Sequence, residues 1–445
     1  MPKHMHGAIL SDLPEKLDPP ECVTHFDVNA RDYGTGIKAH EYLETPSTLR
    51  TKVRLLAQML RTSRKTLAYT GAGISTAAGI DDYATKAKKD SLTAAGRPVV
   101  NDWKLARPTL THYALACLHR ADMLHHWINQ NHDSLPQKAG YPQNALNEIH
   151  GSLHDIANSI VPFEGTLRDD LFAWMQEWQE KATLCLALGT SMSGFNCDSV
   201  PVTVGQKFFE DDNKTLMNAA TCSLGHGLVI VNLQETQYDH LAALRIFAKT
   251  DDVFAMLADE LGLQSELESA QKVMYHLPDW IAQPAADTDQ SKLNQSAENR
   301  DVFHVPFDPE SGLYSEVKTT IWDLRIGARI RLTGGPYEGD EGTVVEKSAE
   351  GHYKVRFKDS MHPVFNVRRR TFSLWLGSWW IEMAMLGHGI VPGGKLPFIN
   401  VPPVENNIEA AETKQNQGNT VVSSPPTEAA TKWTQVGESW VKVHE

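Results

Sequence analysis

A glycine-rich run in the first quarter of the chain restricts the possible fold more than any other feature. Residues 65–68 (KTLA) have the composition of a buried strand, and residues 71–80 (GAGISTAAGI) follow soon after. A turn of small residues between a strand and a helix lets backbone N–H groups approach a phosphate, with the positive end of the helix dipole behind them. The run therefore predicts a strand, a turn and a helix that together bind a nucleotide.

The spacing of these glycines differs from that of dehydrogenases. A dinucleotide fingerprint has a third glycine three residues after the second. This chain has Thr76 at that position, and its next glycine is Gly79. Taken alone, the run is equally consistent with a purely structural turn. It favours a nucleotide enzyme that is not a dehydrogenase.

Length and composition are those of an intracellular protein with two or three domains. The chain has 445 residues, and its net charge of −13 argues against nucleic-acid binding by the chain as a whole. We find neither the roughly 20 uninterrupted apolar residues of a membrane span nor a signal peptide in residues 1–10. The five cysteines are scattered and form no C-x-x-C pair, which indicates reduced thiols. We expect a cytoplasmic or nuclear location, and the sequence does not choose between them.

Short apolar runs alternate with amphipathic runs over the first 260 or so positions. This alternation predicts an α/β fold with a doubly wound, parallel, Rossmann-like sheet. The predicted strands are residues 67–69, a strand within 124–129, and residues 183–188 and 228–231. The predicted helices are residues 47–63, with Ser47 as the N-cap, and residues 111–121, 167–180 and 251–263.

A second compact region is predicted nearer the C-terminus. Residues 328–332, 342–346 and 353–357 read as antiparallel strands separated by glycine-rich turns. We therefore predict an N-terminal extension (1–40), a nucleotide-binding catalytic domain (41–262), a linker (263–318), a small barrel with a Trp-rich end (319–398) and a disordered tail (399–445).

Five clusters of polar or small residues lie at or near the ends of predicted strands. They are residues 71–80, 129–135, 148–152, 189–193 and 232–236. In an open α/β sheet, ligands bind at the carboxyl ends of the strands. Amides and carboxylates there can hold ribose hydroxyls or a carboxamide, and an imidazole can act as a general base. Each cluster alone is also explained by a polar loop, but their shared position favours one ligand site.

The ordered clusters resemble the sirtuin family of NAD-dependent protein deacylases. The motifs that match are G-A-G-I-S-T-x-x-G-I at 71–80, P-T-x-x-H at 108–112, Q-N-x-D at 130–133, A-G at 139–140, H-G at 150–151, G-T-S at 189–191 and Asn232. The resemblance covers residues 41–262, about half of the chain. It implies an enzyme that transfers the acyl group of a modified lysine to the ADP-ribose part of NAD and releases nicotinamide.

The resemblance also implies the roles of single residues. His150 would be the general base, and Asn131 and Asp133 would hold the nicotinamide ribose and the carboxamide. The other residues implied in NAD binding are Gly71, Ala72, Gly73, Ser75, Ile80, Asp82, Tyr83, Gln130, Gly189, Thr190, Ser191 and Asn232. The implied partner is an acylated-lysine protein, paired as an extra strand with residues 161–165. A cationic ribosyl centre needs such orientation and electrostatic support more than a protein nucleophile.

The chain departs from the family pattern at several positions. Ala84 replaces an arginine, Ser134 replaces a glycine, and the last two residues of the V-x-F-G-E pattern are exchanged at 164–165. The two C-x-x-C pairs of the family are missing, since residues 150–183 contain no cysteine. A structural zinc needs four Cys or His ligands, and only His154 is available there. We therefore predict no metal, and we expect the helix at 167–180 to cover that flank.

Residues 327–344 resemble a KOW-type, SH3-like small barrel, which implies a nucleic-acid or protein partner. Residues 319–371 are locally basic, and the run Arg368, Arg369 and Arg370 could meet phosphates, although a solvated strand end or turn is the favoured explanation. The stretch with Trp375, Trp379 and Trp380 fits the core of the barrel, or its dock onto the catalytic domain, better than a partner surface.

Two alternatives to a deacylase stay open. An ADP-ribosyltransferase or NAD glycohydrolase would need the same NAD pocket and base. A catalytically weak NAD-binding scaffold would account for Ala84 and for the missing cysteine pairs.

Overall fold

The computed structural model describes residues 4–11, 17–30, 36–81, 91–95, 98, 106–161, 165–193, 196–210, 226–272, 301–358, 372–388 and 395–401. It also describes the backbone of 433–436 and 439–442. The chain divides into two compact units, Met1–Pro402 and Pro403–Glu445. Within the described residues, every helix is too short or too polar to cross a membrane.

The predicted N-terminal extension contains a short helix and part of a β-hairpin. These elements are α1 (Ala8–Ser11), β1 (Glu21–Thr24) and β2 (Glu41–Leu43), with β1 and β2 antiparallel. The backbone N–H of Arg245 donates to the carbonyl of His6 at 3.2 Å, and that of Tyr42 donates to Leu233 at 2.9 Å. The extension therefore contacts the larger domain near its start, at His6, and the hairpin that it begins contacts the same domain through β2.

Six parallel strands form the central sheet. They are β3 (Thr66–Thr70), β4 (His126–Asn129), β5 (Leu146–Glu148), β6 (Leu184–Leu188), β7 (Gly227–Val231) and β8 (Ala242–Ile246). Their order is β5-β4-β3-β6-β7-β8, and every residue in them is buried. Burial on both faces is typical of a parallel sheet covered by helices. This order has its topological switch point between β3 and β6, which confirms the predicted Rossmann-like fold class.

Helices cover both faces of the sheet. They are α2 (Pro46–Thr62), α3 (Leu110–Arg120), α4 (Leu135–Lys138), α5 (Asp169–Lys181), α6 (Ser199–Glu210), α7 (Thr250–Leu261) and α8 (Gln264–Lys272). Alternate strand residues enter different cores, so that Leu186 packs with residues of α2, α3 and α7, whereas Ala187 packs with residues of α5 and α6. The strand period of two thus produces two cores from one sheet.

Two local predictions are wrong. The glycine run does not open an α-helix but forms two 3₁₀ turns, Ala72–Ile74 and Thr76–Ala78, and Gly79 ends the second turn with φ +86°. A glycine in the left-handed backbone conformation is a common end of a helix. Thr45, rather than Ser47, is the N-cap of α2, because its hydroxyl oxygen accepts a hydrogen bond from the N–H of Thr48 at 3.4 Å.

The C-terminal part of the first unit is antiparallel. Its strands are β9 (Val302–Val305), β10 (Thr320–Asp323), β11 (Arg329–Leu332), β12 (Glu341–Lys347), β13 (Tyr353–Phe357), β14 (Ser373–Leu376) and β15 (Phe398–Asn400), with helix α9 (Ser378–Met385). Strands β9 and β10 pair with each other, and the other five form a sheet in the order β14-β13-β12-β11-β15. The three predicted antiparallel strands, now β11, β12 and β13, are confirmed.

The Trp-rich stretch contributes to a core of this antiparallel region, as expected. Trp379, Trp380 and Ile381 are buried with Trp322 and Phe398. The predicted linker contains α8 and β9, and its residues 273–300 lie outside the described residues, as do Arg368, Arg369 and Arg370. In the second unit, the structure describes one antiparallel hairpin, β16 (Trp433–Val436) and β17 (Ser439–Lys442).

Candidate functional site

The five predicted clusters lie at one edge of the parallel sheet. Gly71 directly follows β3, Gln130 follows β4, Gly189 follows β6 and Asn232 follows β7, while His150 lies two residues beyond β5. Parallel strands present their carboxyl ends at the same edge, so the fold gathers these residues on either side of the switch point. Asp82, Tyr83 and Ala84 lie outside the described residues.

The loops after β3 and β6 touch backbone to backbone. The N–H of Gly73 donates to the carbonyl of Gly189 at 2.8 Å, and the N–H of Gly71 donates to Leu188 at 3.2 Å. A Cβ atom on Gly73 would lie 2.7 Å from the Cα of Gly189, whose own φ is +55°. Glycine is therefore required here by the contact between the two loops, and two N–H groups of the run are already used in it.

Asn131, Ser75 and Asp133 form a continuous hydrogen-bonded network. The Nδ2 of Asn131 donates to the carbonyl of Gly71 and to the hydroxyl oxygen of Ser75, both at 3.0 Å. The hydroxyl of Ser75 donates to Oδ2 of Asp133 at 2.6 Å, and the N–H of Leu135 donates to Oδ1 at 3.0 Å. The network joins the loops after β3 and β4, and it fixes both oxygens of a buried carboxylate.

Buried polar side chains of β3 and β4 form hydrogen bonds that lead to the loop carrying this network. The indole N–H of Trp127 donates to the hydroxyl oxygen of Thr70 at 2.7 Å, and that hydroxyl donates to Oδ1 of Asn129 at 2.9 Å. The same Oδ1 accepts the backbone N–H of Asn131 at 3.2 Å. Because buried polar groups without partners are costly, this chain of bonds holds the start of the loop rigidly.

His150 is held as a neutral imidazole. Its Nδ1 lies 3.3 Å from the carbonyl of Gln130, and its Nε2 lies 3.1 Å from Sγ of Cys197. A carbonyl only accepts hydrogen bonds, so the proton belongs on Nδ1 and the lone pair on Nε2. Burial, with a smaller contribution from the nearby His132, lowers the pKa of His150 to about 4. The ring is therefore unprotonated near neutral pH, which is the form that a general base needs.

The thiol that faces His150 is a protonated one. Burial raises the pKa of Cys197 to about 12, and Cys197 is almost completely inaccessible. The S–H group is thus the available donor to Nε2 of His150. Cys197 follows the G-T-S cluster by six positions, and no spacing motif singled it out, since the contact arises only when the loop after β6 folds back towards β5.

Unpaired polar atoms lie beside the loop contact. The Nε2 of Gln130 donates to the hydroxyl oxygen of Thr190 at 3.2 Å, and that oxygen also accepts the N–H of Met192 at 3.3 Å. Among the described residues, the buried Oγ of Ser191 and the buried Nε2 of His112 have no hydrogen-bond partner. Burial lowers the pKa of His112. These groups fit an anionic or hydroxyl-rich ligand, which would satisfy them.

The remaining predicted site residues have mainly structural partners. The Nδ2 of Asn232 donates to the carbonyl of Gln234 at 3.1 Å, and the carbonyl of Asn232 accepts Nη1 of Arg245 at 3.0 Å. Ile80 packs with Ala78 and Leu135 beside the loop after β4. The structure thus joins Asn131, Asp133 and Ser75 directly, while Asn232 lies on the other side of the switch point.

One group of side chains of the types that bind metals lies outside the five clusters. Within the described residues, Cys22, His25 and His40 place ligand atoms within 4.8 Å of one another. However, Nδ1 of His40 accepts the N–H of Phe26 at 3.1 Å, and the rings of His25 and His40 stack at 4.3 Å. Because Nδ1 is already an acceptor, a neutral His40 carries its proton on Nε2. Neither nitrogen of this ring offers a metal a free lone pair.

These observations define an α/β protein with a candidate ligand site at the switch point of its sheet. A sequence profile described as the Sir2 family matches residues 97–159. NAD-dependent protein deacetylase sirtuin-7 of Rattus norvegicus is 33% identical over 264 residues, which are 53% of this chain and 65% of the rat protein. The Homo sapiens sirtuin-7 is 32% identical over 272 residues, covering 53% of this chain and 66% of the human protein.

A solved structure described as "The Structural basis for Sirtuin Substrate affinity" is 25% identical, with a TM-score of 0.37, and the match covers 48% of this chain and 99% of that one. The chain spans just under two thirds of the length of its sirtuin-7 relatives. The profile and the sequence relatives show that about half of this chain is similar to proteins of the Sir2, or sirtuin, family.

Proposed function

We propose that this chain is a sirtuin-type NAD-dependent protein-lysine deacetylase. The observation that carries the proposal is His150, a neutral imidazole with its lone pair on Nε2, at the same sheet edge as the Asn131–Ser75–Asp133 network. The related sirtuin-7 proteins are named NAD-dependent protein deacetylases, which agrees with the motifs and their order along the chain.

NAD fits the donors and acceptors of this edge. Ser191 and Thr190 would hold its phosphates together with Ala72, and Gln130, Asn131 and Asp133 would orient the nicotinamide riboside. When bound, NAD supplies the ribosyl carbon that accepts the acyl oxygen as nicotinamide leaves. The unpaired hydroxyl of Ser191 supports this arrangement, because a phosphate oxygen would accept its hydrogen bond.

His150 would remove a proton from a ribose hydroxyl through Nε2. The carbonyl of Gln130 keeps the proton of the free ring on Nδ1 and stabilises the imidazolium that forms. For this step, Nε2 must exchange the thiol of Cys197 for the ribose hydroxyl. Because a thiol is a weak hydrogen-bond donor, the loss of its bond to Nε2 costs little free energy.

Several finer statements belong to the same proposal. We propose that the catalytic domain spans residues 41–262, lacks the cysteine-bound zinc of other family members and acts on an acylated-lysine protein inside the cell. We also propose that residues 319–398 form a KOW-type, SH3-like module for a protein or nucleic-acid partner. The antiparallel pairing of β11, β12 and β13 supports that module.

The test combines NAD, an acetyl-lysine peptide and the purified chain, and it follows nicotinamide and deacetylated peptide together. We expect both products to depend on the peptide and to fall to background in His150→Ala. The matched control is His304→Ala, because His304 is exposed on β9, and we expect it to keep full activity. Nicotinamide release without peptide would favour a glycohydrolase, and no release at all would favour an NAD-binding scaffold.

A further inference from the structure

The loop that follows His150 packs against the antiparallel region. We call residues 153–158 the docking segment. Its Ile156 is fully buried in the same core as Trp322, Val355 and Trp380. The N–H of Gly377 donates to the carbonyl of His154 at 2.8 Å, so the docking segment is bonded to the start of α9 through the backbone.

The loop between β11 and β12 makes a tighter contact with the docking segment. A Cβ atom on Gly335 would lie 2.1 Å from the carbonyl oxygen of Ala157, and Gly335 has φ +78°. Only glycine fits at this position. The antiparallel region therefore meets the docking segment at van der Waals distance, without room for an added methyl group.

A second connection runs through charged side chains. Nζ of Lys138, at the end of α4, lies 3.3 Å from Oε2 of Glu350, and both side chains are largely shielded from solvent. Nε2 of His352 lies 3.2 Å from the same oxygen, and the N–H of Ser378 donates to Nδ1 of His352 at 3.1 Å. Helix α4 begins two residues after Asp133, so this ion pair ties the Asp133 loop to the antiparallel region.

Ser134 connects the two contacts to the candidate site. It adopts φ +58°, a left-handed conformation that favours glycine and is unfavourable for serine. Its buried Oγ lies 3.0 Å from Nδ1 of His154 and 3.0 Å from Oγ of Ser152. A strained residue persists where the surroundings fix it, and the hydroxyl is what serine offers here and glycine would not.

We propose that Ser134, His154 and His352 are positioning residues through which the antiparallel region holds the Asp133 loop in place. The rings of His154 and His352 are 4.4 Å apart, so a continuous path leads from His352, just before β13, through His154 and Ser134 to the adjacent Asp133. The consequence for catalysis rests on the proposed function, since it concerns the site assigned to the nicotinamide riboside. The consequence for the loop itself does not.

The experiment compares Ser134→Gly and His352→Gln with Tyr353→Phe as the matched control. Tyr353→Phe removes a 2.7 Å bond to Asp301 within the antiparallel region and leaves the path untouched. The first readout is hydrogen exchange of the Leu135 N–H, which donates to Asp133, in protein without NAD. The second is the separation of KM for NAD from kcat, measured with the acetyl-lysine peptide.

We expect Ser134→Gly and His352→Gln each to speed Leu135 exchange and to raise KM for NAD about fivefold, the effect of one lost hydrogen bond. The double variant should add little to either, because both changes interrupt one path. Ser134→Gly should do this without a lower melting temperature, since glycine relieves the left-handed strain. Tyr353→Phe should lower the melting temperature and leave Leu135 exchange and KM unchanged.

Two results would overturn the inference. One is that both path variants leave Leu135 exchange at the wild-type rate. The other is that Tyr353→Phe changes exchange and KM as much as they do, which would mean that stability alone explains the effect. If the wild-type chain neither binds nor consumes NAD, the proposed function fails, and Leu135 exchange still decides whether the path exists.

Discussion

His150 shows how its surroundings set the state of a single side chain. One nitrogen faces a backbone carbonyl and the other faces the buried thiol of Cys197, so tautomer and protonation are both fixed before any ligand arrives. Burial keeps the pKa of the ring at about 4 and that of the thiol at about 12. The proposed base is therefore unprotonated over the whole neutral range, and its Nε2 is bound only by a thiol, which is a weak hydrogen-bond donor.

Replacement of Cys197 tests this arrangement. In Cys197→Ser, a hydroxyl would bind Nε2 of His150 more strongly than the thiol does, so we expect kcat near neutral pH to fall about fivefold. In Cys197→Ala, Nε2 loses its competitor, and we expect kcat within about twofold of wild type. Steady-state kinetics with saturating NAD and peptide measure both values. Equal losses in the two variants would show that the group facing Nε2 does not matter.

Glu148, at the end of β5, should make stability depend on pH. Burial raises its pKa from 4.5 to about 7. Between these values the unfolded chain releases a proton that the folded protein keeps, so stability falls as pH rises and the loss is complete above pH 7. A pKa difference of one between the folded and unfolded chain corresponds to about 1.4 kcal/mol, which gives a loss of about 3 kcal/mol in all.

In Glu148→Gln this loss disappears. We expect the stability of Glu148→Gln relative to wild type to be higher by about 2 kcal/mol near pH 8 than near pH 5, in urea or thermal unfolding. The exposed Glu177→Gln on α5 is the control and should show no such trend. A pH-independent difference between Glu148→Gln and wild type would mean that Glu148 is ionised in the folded protein at pH 5.

At the level of elements, the hydrophobic pattern predicts four of the six strands of the parallel sheet and misses β5 and β8, which contain charged residues. Strands β3, β6 and β7 follow the predicted segments closely, but β5 contains Asn147 and Glu148, and β8 contains Arg245. Some of their polar groups bond to partners far away in the chain: Nδ2 of Asn147 donates to the carbonyl of Leu171 at 2.8 Å, and Nη1 of Arg245 donates to the carbonyl of Asn232 at 3.0 Å. The hydrophobic pattern of a short segment holds no information about hydrogen-bond partners that are distant in the chain.

For the candidate site, too, the sequence predicts some features and misses others. The sequence predicts the order of the clusters and their place at strand ends, because both follow from the alternation of elements. It does not predict the contact between Cys197 and His150, or the path from His352 to Ser134. Each of these joins residues that are far apart in the chain and meet only after packing.

The contact between the loops after β3 and β6 is tested by Gly73→Ala. The added methyl group would overlap Gly189, and we expect a loss of about 1–3 kcal/mol in stability with faster hydrogen exchange in residues 71–75. Gly262→Ala is the control, because Gly262 has φ +75° but nothing within 4 Å of an added Cβ. It should lose stability without changing exchange in residues 71–75. Unchanged exchange in Gly73→Ala would contradict the contact.

On the scale of the molecule, the parallel and antiparallel regions behave as parts of one compact unit up to Pro402. Ile156, from the loop after the candidate base, is buried in the core of the antiparallel region. A buried apolar side chain and close backbone contact make the two regions mutually stabilising. We therefore expect one cooperative unfolding transition for this unit.

Gly335→Ala should make the unfolding of this unit less cooperative. Its Cβ would collide with Ala157, whereas Gly339→Ala, in the same loop with φ +87°, would meet nothing within 4 Å. Because both changes carry the same left-handed strain, we expect Gly335→Ala to lose about 1–3 kcal/mol more than Gly339→Ala, with a broader or divided transition in calorimetry. Equal losses in the two variants would show that the close contact with Ala157 contributes nothing.

The most direct measurement identifies where the acyl group goes. With NAD and an acetyl-lysine peptide, mass spectrometry should find acetylated ADP-ribose and deacetylated peptide in equal amounts, both absent in His150→Ala. Deacetylated peptide with free acetate and no NAD consumption, or ADP-ribose formed with the peptide still acetylated, would contradict a sirtuin-type transfer at this site.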